Sequence, residues 1–220
     1  MSYQFQPQRP GGSTASAPAL LGQVLGISGL GLCLTALASY LFEPMNLGLL
    51  GLGALLLGFV LLIAINATRA NEPLSLMLFY AFTFLEGIGI SPTIAYYTHT
   101  AGTAVVYNAA LTTGLGMFAL AAVVYSTSID FRRFQGILML GLMAIILISV
   151  VSIFVHFVSP TAISWVVLVI FAGLTLVDFT RIRAGGDGYT PVQLAVQIYL
   201  DAINIFLALL TILGGRRSRD

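Results

Sequence analysis

Long unbroken apolar runs dominate the polarity pattern of this chain. Seven of them span approximately Ala19 to Phe42, Leu47 to Asn66, Leu74 to Tyr97, Ala104 to Thr127, Phe134 to Phe157, Ala162 to Arg183 and Pro191 to Leu213. Each is close to the ~20 residues a helix needs to cross a hydrocarbon core of about 30 Å. A helix on the edge of a soluble core carries one apolar stripe, whereas these runs are apolar all round. The pattern predicts an all-α integral membrane protein, a seven-transmembrane-helix bundle. Its connections are too short to build a separate soluble core.

The chain divides into a tail over residues 1–18, one transmembrane domain over 19–215 and a short basic tail over 216–220. Residues 1–18, rich in Pro, Gly, Ser and Gln, have too little apolar surface to offset the entropy of ordering and are expected to be disordered. Ala36-Leu37-Ala38 resembles a signal-peptidase site, but the run around it is longer than a signal peptide's apolar region, so the first helix is read as retained. Thr190, Pro191 and Gln193 have the spacing of an N-cap, N1 and capping-box partner for the last helix. Gly185 and Gly186 suit the end of the sixth.

Only 8% of the residues are charged and 58% are hydrophobic, against about 25% charged in an ordinary soluble domain. A net charge of +1, with basic residues scattered through the loops, excludes a nucleic-acid partner, which needs clustered cations. The nine basic residues are all arginine. The absence of lysine removes Schiff-base chemistry. A single cysteine, Cys33, offers neither a disulfide nor a thiol metal site.

Arginine placement orients the chain, because basic residues are retained on the cytoplasmic side. With the N-terminus cytoplasmic, Arg9, Arg69, Arg132, Arg133, Arg181 and Arg183 all lie inside, as in a bacterial inner membrane. Arg216, Arg217 and Arg219 dissent: either the last helix crosses despite them, which is the reading preferred, or it is re-entrant.

Three carboxylates fall within predicted spans: Glu86, Asp178 and Asp201. A carboxylate at bilayer depth is costly and marks a functional site by default. Gln193, Gln197, Asp201, Asn204 and Thr211 recur at helical spacing and form one face. That polar seam places the last helix inside the bundle, as a functional lining or as a structural ladder of interhelical hydrogen bonds. Counted from the same membrane side, Asp178 and Asp201 lie at depths of about 10 and 16 Å, a one-turn offset that tilt can remove. The structural alternative for Asp178 is an ion pair with Arg181 at i+3. Glu86, with Gly87, Gly89 and Pro92 after it, is a candidate pore or gating segment, or a kinked packing site. Asn204, on the seam, is a further pore candidate.

GLTLVDFTRIR around Asp178, AVQIYLDAINIFLALLTILGGRR around Asp201 and LEGIGISPTI over Leu85 to Ile94 together resemble the transmembrane Bax-inhibitor motif family, particularly its bacterial members. Phe179 departs from the threonine common in that family. The resemblance implies six helices around a central C-terminal helix and a pH-sensitive calcium leak in which Asp178 and Asp201 form a proton-sharing pair. It also implies a basic latch on helix two, for which Arg69 is the candidate by position. Physically, two carboxylates in a low-dielectric site share a proton, and their deprotonation creates a site for a hard cation such as Ca²⁺. Calcium and protons are thus the expected ligands, the ion permeant or bound at Asp178 and Asp201, with no organic cofactor.

Two other functions compete. One is a non-conducting regulator that binds other membrane proteins, such as a modulator of a membrane protease or a stress or cell-death factor, a role that the family resemblance also implies. A proton-coupled cation exchanger would also use titrating carboxylates. An enzyme is not expected: Gly26-Ile27-Ser28-Gly29 has the GxSG form of intramembrane serine proteases, but His99 and His156 fall near the opposite ends of their helices, out of reach of Ser28.

Overall fold

A computed structural model describes residues 17–217 except 44, 46, 48, 156 and 157. Seven helices follow in order: α1 Ala17–Phe42, α2 Leu49–Ala67, α3 Glu72–Ala101, α4 Thr103–Ser126, α5 Gln135–Val155, α6 Pro160–Arg183 and α7 Pro191–Arg217. A 3-10 turn, Phe131–Phe134, leads into α5. All seven are long and apolar enough to span a membrane, and the protein is an integral membrane protein.

The ends have local causes. The Asn71 side chain accepts from the Leu74 amide at 3.2 Å at the start of α3, and Ser159 does the same for Ala162 at the start of α6. Thr190 and Gln193 form a reciprocal capping box: Gln193 N–H donates to the Thr190 hydroxyl at 3.2 Å, and Thr190 N–H to the Gln193 carbonyl at 3.1 Å. At the end of α6, Gly185 donates to the carbonyl of Ile182 and Gly186 to that of Arg181, the Schellman pairing that positive φ at C′ permits.

Two expected boundaries move. Helix α1 begins at Ala17, so residues 17 and 18 belong to its first turn; the disorder expected of residues 1–16 lies outside the described residues. Helix α7 continues to Arg217 and takes up two of the tail arginines. It is unbroken for 27 residues, about 40 Å, and Gly214 and Gly215 lie against Tyr97 and Thr161 at the far end of α3 and the start of α6. It therefore runs the whole depth of the bundle and does not fold back.

Helix α7 is the most buried of the seven and α5 the least. It packs directly on α1, α3, α4 and α6, while α2 packs on α3 and α5 on α6. Its central anchor is Tyr199, fully buried and edge-on to Phe79 and Phe82. The Tyr199 hydroxyl lies 2.6 Å from the Thr35 hydroxyl, which also donates to the Thr83 carbonyl at 2.8 Å. One polar cluster thus ties α7 to α1 and α3 in a layer that is otherwise apolar.

Candidate functional site

The Schellman ending of α6 and the capped start of α7 bring these helices into contact along one face at the end of the bundle that bears Arg69, Arg132, Arg181 and Arg183. Asp178, about one and a half turns before the end of α6, and Asp201, about three turns into α7, meet across that contact. Asp178 is 7% exposed and Asp201 3%. Their carboxyl groups are hydrogen-bonding neighbours, and Asp201 also meets the Thr175 hydroxyl one turn back on α6. Its Oδ2 is buried with no ordinary donor among the described groups. Two desolvated carboxylates this close repel each other unless one of them takes up a proton.

The basic group on this pair is Arg181, only 4% exposed. Its Nη1 donates to Asp178 Oδ1 at 2.6 Å and to Gln197 Oε1 at 2.9 Å, and its Nη2 to Gln135 Oε1 at 3.0 Å. The guanidinium carbon sits 4.7 Å above the Tyr189 ring. The guanidinium offsets the charge of one of the two buried carboxyls, the pairing that a buried charged group requires.

The chain of charges continues outward. Arg181 Nε faces Asp187 Oδ2 at 3.9 Å, and Arg132 donates to both oxygens of Asp187, at 2.7 and 2.9 Å, and to Asp130. Hydrogen bonds from Arg132 hold the Asp130 carboxyl down to about 2. Arg183 instead donates to the carbonyls of Val124, Thr127 and Ile129, covering the acceptors that the end of α4 leaves open.

The remaining sequence candidates do not join this cluster. Arg69 lies exposed in the turn after α2, and the counter-charge assigned to it is supplied by Arg181. Position at a helix end suggested Arg69, but the i+3 spacing on α6 delivers a guanidinium directly. Glu86 is half-buried and faces α2 beside Gly58. Pro92 is exposed inside an unbroken α3; the carbonyl of Ile88 that it leaves without an amide accepts from the Ser91 hydroxyl at 2.8 Å, so the helix continues through it. Asn204 donates to the Leu200 carbonyl on its own helix at 2.8 Å. Among the described residues no group of three metal-ligating side chains gathers, and the guanidinium occupies the carboxylate that a divalent ion would need. What the structure shows at Asp178 is an ion pair with Arg181. Ser28 Oγ donates to the Val24 carbonyl, His99 lies at the other end of α3, and His156 lies outside the described residues.

Sequence reasoning did not find Gln135, Asp187 and Arg132 as members of the network. Of these only Asp187 left a signal, as an acidic residue set among glycines in the α6–α7 loop. Gln197 was visible on the polar seam, without its partner.

Compared with known proteins, residues 18–218 match the family model described as Inhibitor of apoptosis-promoting Bax1. The modulator of FtsH protease YccA of Escherichia coli is 31% identical over 171 residues, 77% of each chain. An uncharacterized protein of Campylobacter jejuni is 34% identical over 166 residues, 72% of this chain and 69% of that relative. An uncharacterized membrane protein of Streptococcus pyogenes is 27% identical over 212 residues, 87% of this chain and 90% of its own.

Proposed function

This chain belongs to the family of inhibitors of apoptosis-promoting Bax1, and from that premise we propose that it is a non-enzymatic regulator of another membrane protein, a membrane protease being the foremost candidate, whose conformation is set by the proton held at Asp178 and Asp201. The observation that carries the proton-responsive part is the buried cluster of two carboxyls and one guanidinium. Taking the proton away leaves a net negative charge in a low-dielectric site, which favours a different packing of α6 against α7. The likeness to YccA, named as a modulator of FtsH protease, supports the protease as partner. In this reading the arginine-bearing end faces the cytoplasm of a bacterium and the bundle lies in the inner membrane, following the retention of basic residues on that side.

A second reading is favoured by the same pair: a pH-sensitive calcium leak, in which the deprotonated aspartates attract a permeant cation. One experiment separates the two. Proteoliposomes holding FtsH, with and without this chain, are assayed in parallel for degradation of a membrane substrate and for calcium entry, across pH. A regulator changes the rate of degradation, loses its pH response in Asp201→Asn and passes no calcium. Calcium entry abolished by Asp201→Asn, with degradation unaffected, would replace the regulator by the leak.

A further inference from the structure

The Arg181 side chain has more carboxylate partners within reach than it uses. Both Nη atoms are occupied, by Asp178, Gln197 and Gln135, but Nε is buried without a hydrogen bond. The atom it faces is Asp187 Oδ2, at 3.9 Å, about 1 Å too far for a hydrogen bond. A buried N–H left unpaired beside an available carboxylate is an unmade bond that a small displacement would make.

The acceptor lies on a segment able to supply that displacement. Gly185, Gly186, Asp187 and Gly188 all have positive φ, at 93°, 93°, 51° and 81°. Glycines adopt such values freely, so the loop has wide backbone latitude. Asp187, which has a β-carbon, holds its left-handed conformation at a cost and is restrained there by the two bonds from Arg132. Moving Asp187 toward Arg181 thus also draws on Arg132 and the connection between α4 and α5.

We infer that Arg181 is the positioning residue of the aspartate site and a counter-ion shared with the loop: it neutralises Asp178 while that carboxyl is ionised and passes to Asp187 when Asp178 takes the proton. The inference rests on the reading of the pair as the proton-responsive element and adds the route by which its state leaves the membrane interior.

Among the described residues no other charged group takes this role. Helices α1, α2, α4 and α5 carry no Asp, Glu, Lys or Arg. On α3, Glu86 faces α2 at Gly58, and Glu72 and His99 lie at the two ends of that helix. Arg183 is turned to the carbonyls of α4 and its connection, and Arg133 sits over the Phe134 ring at 4.8 Å. Arg181 is therefore the cation available to Asp178, and an uncompensated charge left at this depth would be strongly destabilising. Asp201 faces Asp178 from α7 and Arg132 holds Asp187 from outside, so each end of the exchange has one competing group.

The test uses the full chain in lipid nanodiscs, with Cys33→Ala and an environment-sensitive fluorophore on Ala184→Cys beside the loop. The infrared band of protonated carboxyl groups is followed across the same pH range. In the otherwise unaltered protein, the fluorophore should shift with the same pH midpoint as the carboxyl band. Asp178→Asn should hold the fluorophore at its acid-side signal at every pH. Arg181→Gln and Asp187→Asn should each abolish the fluorophore response while a carboxyl band still titrates, and Arg181→Lys should restore a response. If Arg181→Gln does not fold, Asp187→Asn and Arg181→Lys give the same discrimination. A carboxyl band that titrates with the fluorophore response intact in Asp187→Asn, or with Asp178→Asn behaving as the parent, would overturn the shared counter-ion and leave the proton-responsive pair standing. A carboxyl band that does not titrate in the parent would overturn both.

Discussion

Gly87→Ala should separate α1 from α3 and release the central anchor of α7. A Cβ built at Gly87 meets the Thr35 carbonyl oxygen at 2.4 Å, the Ala38 Cβ at 2.7 Å and the Thr35 Cα at 3.0 Å, where ordinary contact begins near 3.4 Å. Two of the three atoms are backbone, so no side chain can swing aside. The helices must part by about 1 Å, and overpacking of this kind costs about 1–3 kcal/mol. Thr35 moves with α1, and its bonds to the Tyr199 hydroxyl at 2.6 Å and the Thr83 carbonyl at 2.8 Å stretch out of range, each worth about 1 kcal/mol. The expected loss is about 3–5 kcal/mol. Reversible unfolding in mixed micelles, followed by helical circular dichroism, would measure it against Gly29→Ala, where the new methyl has no atom within 4 Å. The reasoning is refuted if Gly87→Ala unfolds within about 0.5 kcal/mol of Gly29→Ala, the scatter of a neutral surface change.

Three further outcomes are expected. Tyr199→Phe keeps the ring packing but removes the hydroxyl from Thr35, and the same unfolding assay should show a loss of about 1 kcal/mol, with a further loss of about the same size when Thr35→Val also removes the bond to the Thr83 carbonyl. Asp178→Asn and Asp201→Asn should each flatten the pH dependence of whichever activity the proteoliposomes reveal, and the double variant should add little, as the proposal that the two carboxyls titrate as one unit requires; separate additive effects would show two independent aspartates. The Asp130 carboxyl is lowered to about 2 by hydrogen bonds from Arg132, against an ordinary value of about 3.9. Its contribution is thus fully present above the ordinary value and lost as pH falls through the lowered one. Thermal midpoints of Asp130→Asn and the parent should differ near neutrality and converge at about pH 2.

Much of the architecture was legible because bilayer thickness is a strict ruler. Runs of about 20 apolar residues allow little but helices across the membrane, and the structure returns seven of them with ends shifted by a few residues. The shifts follow from polar residues that a helix tolerates once its caps are satisfied. Glu72 begins α3 behind the Asn71 cap, and α7 carries its arginines to residue 217. The polar seam marked α7 as the helix with neighbours on several sides, since lipid would not accept Gln193, Gln197 and Asp201 on one face.

The aspartate pair was equally visible, since a buried carboxylate is rare enough in a span to be conspicuous and the two members stand within about one turn of the same depth. Its partner was visible only as an alternative, the i+3 ion pair with Arg181, set beside a latch at Arg69. Asp178 and Arg181 stand three residues apart, a spacing that permits contact on any helix but does not require it. Burial requires it here, with Gln197 from α7 and Gln135 from the start of α5 closing on the same guanidinium. Arg69 has a sequence position as good as that of Arg181 and ends in an exposed turn. Local spacing and apolar length act within one helix and can be read along the chain. Which cation neutralises a buried charge depends on groups 16 and 46 residues apart arriving at one point, and only the packing of α5, α6 and α7 brings them there.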